Sequence, residues 1–275
     1  MSNMITITPK RKFDVPIQAA CINVDIFTGK TLEDIKKLAI TEGKENLTLN
    51  DAFNITEDKT VETPNITLIG DFSKVKRIGQ GMKTGEIIIN GNAGMHTGEK
   101  LAGGKIVVNG NSDGWTGSEM KKGLIEIHGD AGDYTASPFR GTDTGGMKGG
   151  IIIVDGNVGS NVGCYLRGGT IKIKGSAGRF LGHHMSDGTI YIEKNCASRA
   201  GTFMTGGKII INGTIELVMP TFTIDSIKPK VKVDATLNAP GPFYVFLGDI
   251  AEHGTGKIFA LKTTNPALST YEKYL

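Results

Sequence analysis

The chain has 275 residues, with 31 basic and 28 acidic side chains and a formal net charge of +3. This length allows one large or two ordinary domains with a sizeable core. The weak net charge argues against nucleic acid or an anionic membrane as the main partner.

Cysteine usage and the absence of long apolar runs indicate the compartment. Cys21, Cys164 and Cys196 are far apart and odd in number, which predicts free thiols in a reducing compartment rather than a disulfide framework. No run approaches the roughly 18 apolar residues of a membrane span. The start of the chain lacks the apolar core of a signal peptide. We therefore expect a cytoplasmic protein without membrane insertion.

Residues 1–60 carry no repeat and are predicted to form an N-terminal flanking segment. Within it, residues 31–40 have the pattern of a short helix, with Thr31 as its N-cap. The segment also contains GKT at residues 29–31, the end of a phosphate-binding loop motif. That motif requires glycine five residues before Gly29, where this chain has Val24, so the motif fails.

A repeat fills residues 61–213. A glycine that precedes two alternating aliphatic residues recurs at intervals of 19, 19, 27, 19, 19 and 19 residues. These glycines are Gly85, Gly104, Gly123, Gly150, Gly169, Gly188 and Gly207. The interval of 27 is one repeat plus an insertion of eight at residues 135–142, and a weaker unit with Ile66 and Leu68 precedes the set. A fixed period near 20 indicates a repeat architecture.

Each repeat predicts a short strand with an aliphatic inner face. All fourteen residues two and four positions after the glycines are Ile or Val, and a third row of Leu or Met follows. Stacking such strands predicts an all-β fold, a right-handed parallel β-helix of about seven to eight coils. Further glycines such as Gly175 and Gly182 are expected at its corners. Asparagines recurring around Asn92 and Asn111 are expected to form a ladder at the turns.

Residues 214–275 leave the repeat and are predicted to form a C-terminal flanking segment with short strands. The stretches GPFYVFLGD and KIFAL indicate a strand pair. Both flanks are expected to be small α/β units that pack on the ends of the β-helix.

The outer row of the repeat strands is the most informative surface. Strand alternation places the residue three positions after each glycine outside, yet four of the seven are aliphatic. The row is Ile88, Val107, Glu126, Ile153, Lys172, Tyr191 and Ile210. Exposed aliphatic patches usually mean a covered surface, so either a flank or a partner should lie along this face.

Two candidate chemistries have weaker support. His183 and His184 are adjacent, and on a strand they would point to opposite faces and not share one metal ion. Asp155 and Glu193 lie two repeats apart in an outward row, a spacing near the upper limit for an inverting glycosidase. Lys174 stands between them, so a ladder of alternating charges is the simpler interpretation.

The repeats resemble the GxGxG repeats of the C-terminal domain of glutamate synthase. Over nearly its full length the chain most closely resembles the C subunit of formylmethanofuran dehydrogenase. The matching segments are KRIGQGMKTGEIIINGN at residues 76–92, GDAGDYTASPFRG at 129–141 and APGPFYVFLGD at 239–249. The insertion and the closing segment are more specific than the repeat glycines, which any solenoid of this period could share.

The resemblance implies an oxygen-sensitive complex of methanogenic archaea that converts CO2 and methanofuran to N-formylmethanofuran. It places a tungsten or molybdenum pterin in a formate dehydrogenase-like partner and a binuclear metal site in an amidohydrolase-like partner. Iron–sulfur clusters would lie in ferredoxin-type subunits, and a small pterin-binding-fold subunit would complete the set. The family assigns no catalytic, cofactor or metal residues to this subunit.

We therefore expect a non-catalytic structural subunit, itself without cofactors, in an oxidoreductase complex. The interface is predicted to involve the outer row and the insertion, at Ile88, Val107, Ile153, Tyr191, Ile210, Phe139 and Arg140. The alternatives are the equivalent subunit of the formyltransferase/hydrolase complex of methylotrophic bacteria, and a stand-alone solenoid enzyme or binding protein.

Overall fold

The computed structural model describes residues 4–58, 65–139 and 145–275. The strands before the regular repeats are β1 (Met4–Pro9), β2 (Ile17–Gln18), β3 (Ala39–Glu42), β4 (Glu45–Thr48), β5 (Phe53–Asp58), β6 (Asn65–Ile69) and β7 (Val75–Lys76). The short helices of this part are α1 (Val24–Phe27), α2 (Leu32–Lys36) and α3 (Leu49–Ala52).

The repeats and the C-terminal segment add ten strands. The repeat strands are β8 (Glu86–Asn90), β9 (Ala102–Val108), β10 (Lys122–Ile127), β11 (Ile151–Val154), β12 (Arg167–Ile173), β13 (Asp187–Ile192) and β14 (Lys208–Ile211). After them come β15 (Thr223–Lys232), β16 (Asn238–Gly248) and β17 (Gly256–Leu261). Three 3₁₀ helices lie at Ile250–Glu252, Lys262–Thr264 and Pro266–Tyr274. No helix of the described ranges is both long enough and apolar enough to cross a bilayer.

Thirteen strands form one sheet in the order β15-β16-β17-β14-β13-β12-β11-β10-β9-β8-β6-β1-β5. In this sheet order, each neighbouring pair between β17 and β1 is parallel. Equivalent residues of neighbouring repeat strands pair with each other, as Ile171 pairs with Ile190. The register survives the insertion, because Ile125 pairs with Ile152. The weaker first unit is confirmed, since Ile66 pairs with Ile87.

A second parallel ladder runs beside this sheet as single bridges. It links Phe72, Ala93, Ser112, Ala131, Val158, Ala177, Cys196 and Ile215, each to the next. The large sheet and the few short helices confirm the all-β class. The right-handed β-helical path and the domain boundaries at residues 60 and 213 stay predictions.

The predicted inner face is the core. The fourteen Ile and Val side chains two and four positions after the repeat glycines are each at most 1% exposed. The third row, comprising Leu101, Met120, Met147, Leu166, Met185 and Met204, is 0% exposed. Burial of each such side chain contributes roughly 1.5 to 3 kcal/mol, so the same contribution recurs at every repeat.

The asparagine ladder is also confirmed. Asn92 Oδ1 accepts a hydrogen bond of 2.9 Å from the backbone N–H of Asn111. Asn111 Oδ1 does the same for Asp130 at 2.8 Å, and Asp130 Oδ1 for Asn157 at 2.7 Å. Each turn therefore holds the backbone of the following repeat through one side-chain acceptor.

Two glycines show why the corners exclude side chains. Gly182 has φ of +66°, and a Cβ there would lie 2.8 Å from Ile209 Cδ1. Gly175 needs close approach instead, because its Cβ would lie 2.3 Å from the carbonyl oxygen of Gly156. Both corner predictions are thus confirmed.

In the N-terminal flank, Thr31 caps α2 as predicted and forms a capping box with Asp34. The helix ends at Lys36, earlier than predicted, because Ile40 joins β3 and pairs with Leu47 of β4. The second sheet runs β4-β3-β2-β7. The three cysteines are free thiols, as predicted.

In the C-terminal flank, the predicted strand pair is β16 and β17, which are antiparallel. The sequence did not predict β15, which pairs with β16 to form a long hairpin. β17 pairs in parallel with β14, so the flank continues the repeat sheet.

Candidate partner-binding surfaces

The outer row is most completely buried at its C-terminal end. Ile88 and Ile153 are half-buried, whereas Val107 is 9% exposed. Tyr191 is 6% exposed and Ile210 is completely buried. The row predicted as an interface therefore has a partly open end and a closed end.

The hairpin of β15 and β16 closes that end. It forms a second apolar cluster with the outer row, comprising Tyr191, Ile210, Val231, Val233, Ala239, Phe243, Val245 and Phe259. The sequence left open whether a flank or a partner covers this face. At Tyr191 and Ile210 the cover is the flank of the same chain, so we leave these two residues out of the proposed partner interface.

An ion pair fixes the tip of the hairpin to the strand face. Lys172 Nζ pairs with Asp234, whose Oδ1 also accepts 2.8 Å hydrogen bonds from the backbone N–H groups of Thr236 and Leu237. The bond from Lys172, together with these backbone donors, lowers the pKa of Asp234 despite its partial burial. The carboxylate therefore remains charged through ordinary pH.

A groove of about 340 Å³ lies beside the hairpin on the open part of the strand face. Its lining is Glu126, Ile127, His128, Ile153, Asp155, Lys172, Lys174, Tyr191, Glu193 and Leu237. Asp155 Oδ1 lies 2.8 Å from Lys174 Nζ, and its Oδ2 lies 2.7 Å from His128 Nδ1.

These contacts support the charge-ladder interpretation of the outward row over the glycosidase one. The hydrogen bonds from Lys174 and His128 lower the pKa of Asp155. A glycosidase general acid needs a raised pKa, so Asp155 is poorly suited to that role.

A second surface follows the glycine corners. Each of several repeats places three residues in left-handed conformation at alternate positions, such as Phe180 (φ 60°), Gly182 (φ +66°) and His184 (φ 55°). The central residue contacts the core, and the outer two build what we call the corner surface. Its two columns are Arg77, His96, Trp115, Tyr134, Asn161, Phe180 and Arg199, and Gly81, Lys100, Glu119, Tyr165, His184 and Phe203.

The N-terminal half of the corner surface is covered by the insertion. Trp115 stacks on His96 at 5.4 Å and on Tyr134 at 4.8 Å between ring centroids. Phe139 lies 5.5 Å from the His96 ring and 6.2 Å from that of Trp115. Phe139 remains 45% exposed, as an interface residue would be. Arg140, the other predicted interface residue of the insertion, lies outside the described residues.

This half is also balanced in charge. Glu99 Oε2 lies 2.6 Å from Arg77 Nη1 and 3.2 Å from His96 Nδ1. Burial raises the pKa of Glu99, but His96 and the charges of Arg77 and Lys100 together lower it below its usual value. Arg77 is therefore paired within the chain.

The C-terminal half is an open stack of rings. His184 stacks on Tyr165 at 4.7 Å and on Phe203 at 5.0 Å. Arg199 lies over the ring of Phe180 at 5.3 Å. Sequence reasoning missed these residues, although their signal is present as aromatic side chains two positions before or after the corner glycines.

The placement of the histidine pair on a strand is wrong. His183 and His184 lie in a turn rather than on a strand, and their ring centroids are 4.4 Å apart. Burial and the neighbouring His184 lower the pKa of His183. Within the described ranges, no group of three or more His, Cys, Asp or Glu side chains is arranged to hold a metal ion.

The fold is a mostly-β repeat fold that also occurs in a one-carbon enzyme complex. A chain in the X-ray crystal structure of the formyltransferase/hydrolase complex from Methylorubrum extorquens, in complex with methylofuran, matches with a TM-score of 0.82 and 24% identity. The match covers 93% of this chain and 99% of that chain. No protein-family model matches the sequence.

The sequence relatives are C subunits of formylmethanofuran dehydrogenases, the family that the motifs indicate. The C subunit of tungsten-containing formylmethanofuran dehydrogenase 2 from Methanothermobacter wolfeii is 41% identical over 96 residues, 34% of this chain and 36% of that protein. The C subunit of molybdenum-containing formylmethanofuran dehydrogenase 1 from Methanothermobacter marburgensis is 41% identical over 92 residues, 34% of this chain and 23% of that protein.

These relatives confirm the resemblance to the C subunit of formylmethanofuran dehydrogenase. The aligned part spans only about a third of the length of the first relative and less of the second. The sequence similarity is therefore shorter than the nearly full-length resemblance that the motifs indicated. The similarity of fold extends much further.

Proposed function

We propose that this chain is a non-catalytic structural subunit of a formylmethanofuran dehydrogenase complex, which reversibly converts CO2 and methanofuran to N-formylmethanofuran. The observation that carries the proposal is the 41% identity to the C subunits of the tungsten and molybdenum enzymes. In this proposal the chain is cytoplasmic, and its repeat winds as a right-handed parallel β-helix that other subunits bind.

The surfaces described above support a binding role. The inner face is buried in the core, while the half-buried Ile88 and Ile153 of the outer row and the exposed Phe139 of the insertion offer apolar contact area. Val107 is 9% exposed and adds little to it. We assign the partner interface to these residues, with Arg140 retained from the sequence prediction. Such mixed aliphatic and aromatic surfaces suit protein–protein contacts.

The cofactors are assigned to the partners. A tungsten or molybdenum pterin would lie in a formate dehydrogenase-like subunit, and a binuclear metal site in an amidohydrolase-like subunit. Ferredoxin-type subunits would hold iron–sulfur clusters, beside a small subunit of pterin-binding fold. Burial raises the pKa of the Cys164 and Cys196 thiols to about 12, which disfavours the thiolate that ligates metals.

A second candidate is the equivalent subunit of a formyltransferase/hydrolase complex, which lacks the redox step. The structural match over 93% of the chain favours it. The two candidates share a role as a structural subunit and differ in the partners that the chain binds.

Purification of the tagged chain from its native host under anaerobic conditions tests both candidates. We expect co-purification of the formate dehydrogenase-like and amidohydrolase-like subunits, with tungsten or molybdenum and formylmethanofuran oxidation. A complex with formyl transfer but without metal-dependent oxidation would establish the second candidate. Turnover of formylmethanofuran by the isolated chain would contradict both, since neither places the chemistry in this subunit.

A further inference from the structure

The C-terminal half of the corner surface has the side chains of a strong binding site. We call Tyr165, Phe180, His184, Arg199 and Phe203 the aromatic corner patch. Tyr165 is 42% and Phe203 is 39% exposed, and His184 lies stacked between them. Tyrosine and arginine are among the residues that dominate the binding energy of protein interfaces.

The backbone conformation at the corners determines how these side chains are arranged. Tyr165, His184 and Phe203 hold φ of 53°, 55° and 61°, in the left-handed region where glycine is favoured. The first repeat has Gly81 at the corresponding position, with φ of +67°. Lys100 and Glu119 have the same conformation in the N-terminal half, so it belongs to the corner of the repeat and fixes where the three rings lie.

The patch also carries positive charge that the chain does not neutralise. In the described part of the chain, neither Arg199 nor the exposed Arg179 beside Phe180 forms an ion pair. Two nearby acids bond to the backbone instead: Glu216 accepts a 2.8 Å hydrogen bond from the N–H of Ser198, and Asp249 accepts one of 2.9 Å from the N–H of Phe203. In the covered half of the corner surface, by contrast, Arg77 pairs with Glu99.

The insertion covers the other half of the corner surface and shows how stacked rings of this kind can be covered. In the N-terminal half, the ring of Phe139 rests on the stacked rings of His96 and Trp115. The aromatic corner patch continues the same two columns, and its rings have no such cover among the described residues. The exposed rings of Tyr165 and Phe203 are therefore available to a covering segment.

We propose that the aromatic corner patch docks an acidic segment of a partner polypeptide. Apolar side chains of that segment would pack on Tyr165 and Phe203, and its carboxylates would pair with Arg199 and Arg179. The inference rests on the proposed function, since it names a contact with another member of the same complex. It adds a surface separate from the outer row and the insertion.

Charge reversal in the assembled complex tests the proposal. We expect Arg199→Glu to reduce partner recovery with the tagged chain about tenfold, the effect of one lost close charge pair. The control Lys44→Glu makes the same charge change at an exposed turn between β3 and β4, and should leave recovery unchanged. Unchanged recovery with Arg199→Glu, while the wild-type complex forms, would overturn the docking site and leave the proposed function intact.

Photo-crosslinking tests the same contact by a gain of signal, so it does not rely on a loss of partner recovery. A benzophenone amino acid in place of Phe203 is expected to crosslink to a partner peptide rich in Asp or Glu. Crosslinks to RNA, to a basic peptide or to this chain alone would overturn the proposal. A wild-type chain that purifies without partners would contradict the proposed function itself.

Discussion

The two faces of the repeat strands follow different rules. On the inner face, every repeat has Ile or Val at both positions, and none is more than 1% exposed. On the outer face, the residue changes from Ile88 to Glu126 to Tyr191, and burial ranges from partial to complete. The inner face meets the same neighbour in each repeat, while the outer face meets the hairpin at one end only. The residues that stack the strands are therefore the same in every repeat, whereas the outer residues vary with what each of them contacts.

The strongest test of this comparison truncates one residue on each face. Ile171→Ala removes a fully buried inner side chain and should lower the free energy of unfolding by about 2 to 5 kcal/mol. Ile153→Ala removes a half-buried outer side chain and should cost about 1 kcal/mol or less. Urea denaturation of the purified variants measures both values. Equal losses would contradict the division between the faces.

A corner variant shows how far the inner face tolerates added volume. Gly182→Ala combines φ of +66° with a Cβ 2.8 Å from Ile209 Cδ1 and should cost about 1 to 3 kcal/mol. Gly81→Ala is the matched control, because Gly81 has φ of +67° but nothing within 4 Å of its Cβ. The difference between their melting midpoints isolates the steric contact. An unchanged midpoint for Gly182→Ala would refute its corner role.

The contribution of the covered end of the outer face to protein stability should depend on pH. Asp234 has a lowered pKa, so its pair with Lys172 stabilises the protein above the unfolded pKa of about 3.9 and weakens as the pH falls. We expect Asp234→Asn to cost about 1 kcal/mol at pH 7 and progressively less below about pH 4. Melting midpoints over this range measure the difference. A gap that widens in acid would reverse the assigned sign.

The smallest effect is expected in the exposed charge ladder. The Lys174 side chain is 53% exposed and that of its partner Asp155 is 29% exposed, so Lys174→Met should leave the melting midpoint nearly unchanged. Added salt should shrink the difference further because it screens exposed charges. A loss comparable to that of Ile171→Ala would mean that the ladder belongs to the structural core.

The sequence predicted what repeats and missed what occurs once. The inner rows, the corner glycines and the asparagine ladder followed from a fixed spacing, and the cap at Thr31 followed from a local motif. β15 was missed because Pro229 and alternating lysines hide a strand, which an edge position tolerates. The cover over Tyr191 depends on a contact distant in sequence, which no period records.

Some of the candidate surfaces were predicted from the sequence and one was missed. The outer row was visible as misplaced aliphatic residues, and Phe139 as part of an insertion. The aromatic corner patch was missed because left-handed residues break the alternation of a strand, which led to the wrong orientation for His183 and His184. A search for ring side chains flanking the corner glycines would have found Phe180 and His184.

The antiparallel strands at the two ends of the large sheet set the length of the molecule. Identical stacked strands could in principle grow without limit, by recruiting further copies end to end. Here β5 runs antiparallel to β1, β16 runs antiparallel to β17, and β15 runs antiparallel to β16. The outermost strand β15 carries Pro229 and the exposed Lys228, Lys230 and Lys232, which oppose pairing with another edge. At that end the stack of repeat strands is closed, so it does not offer an edge on which a fibre could grow.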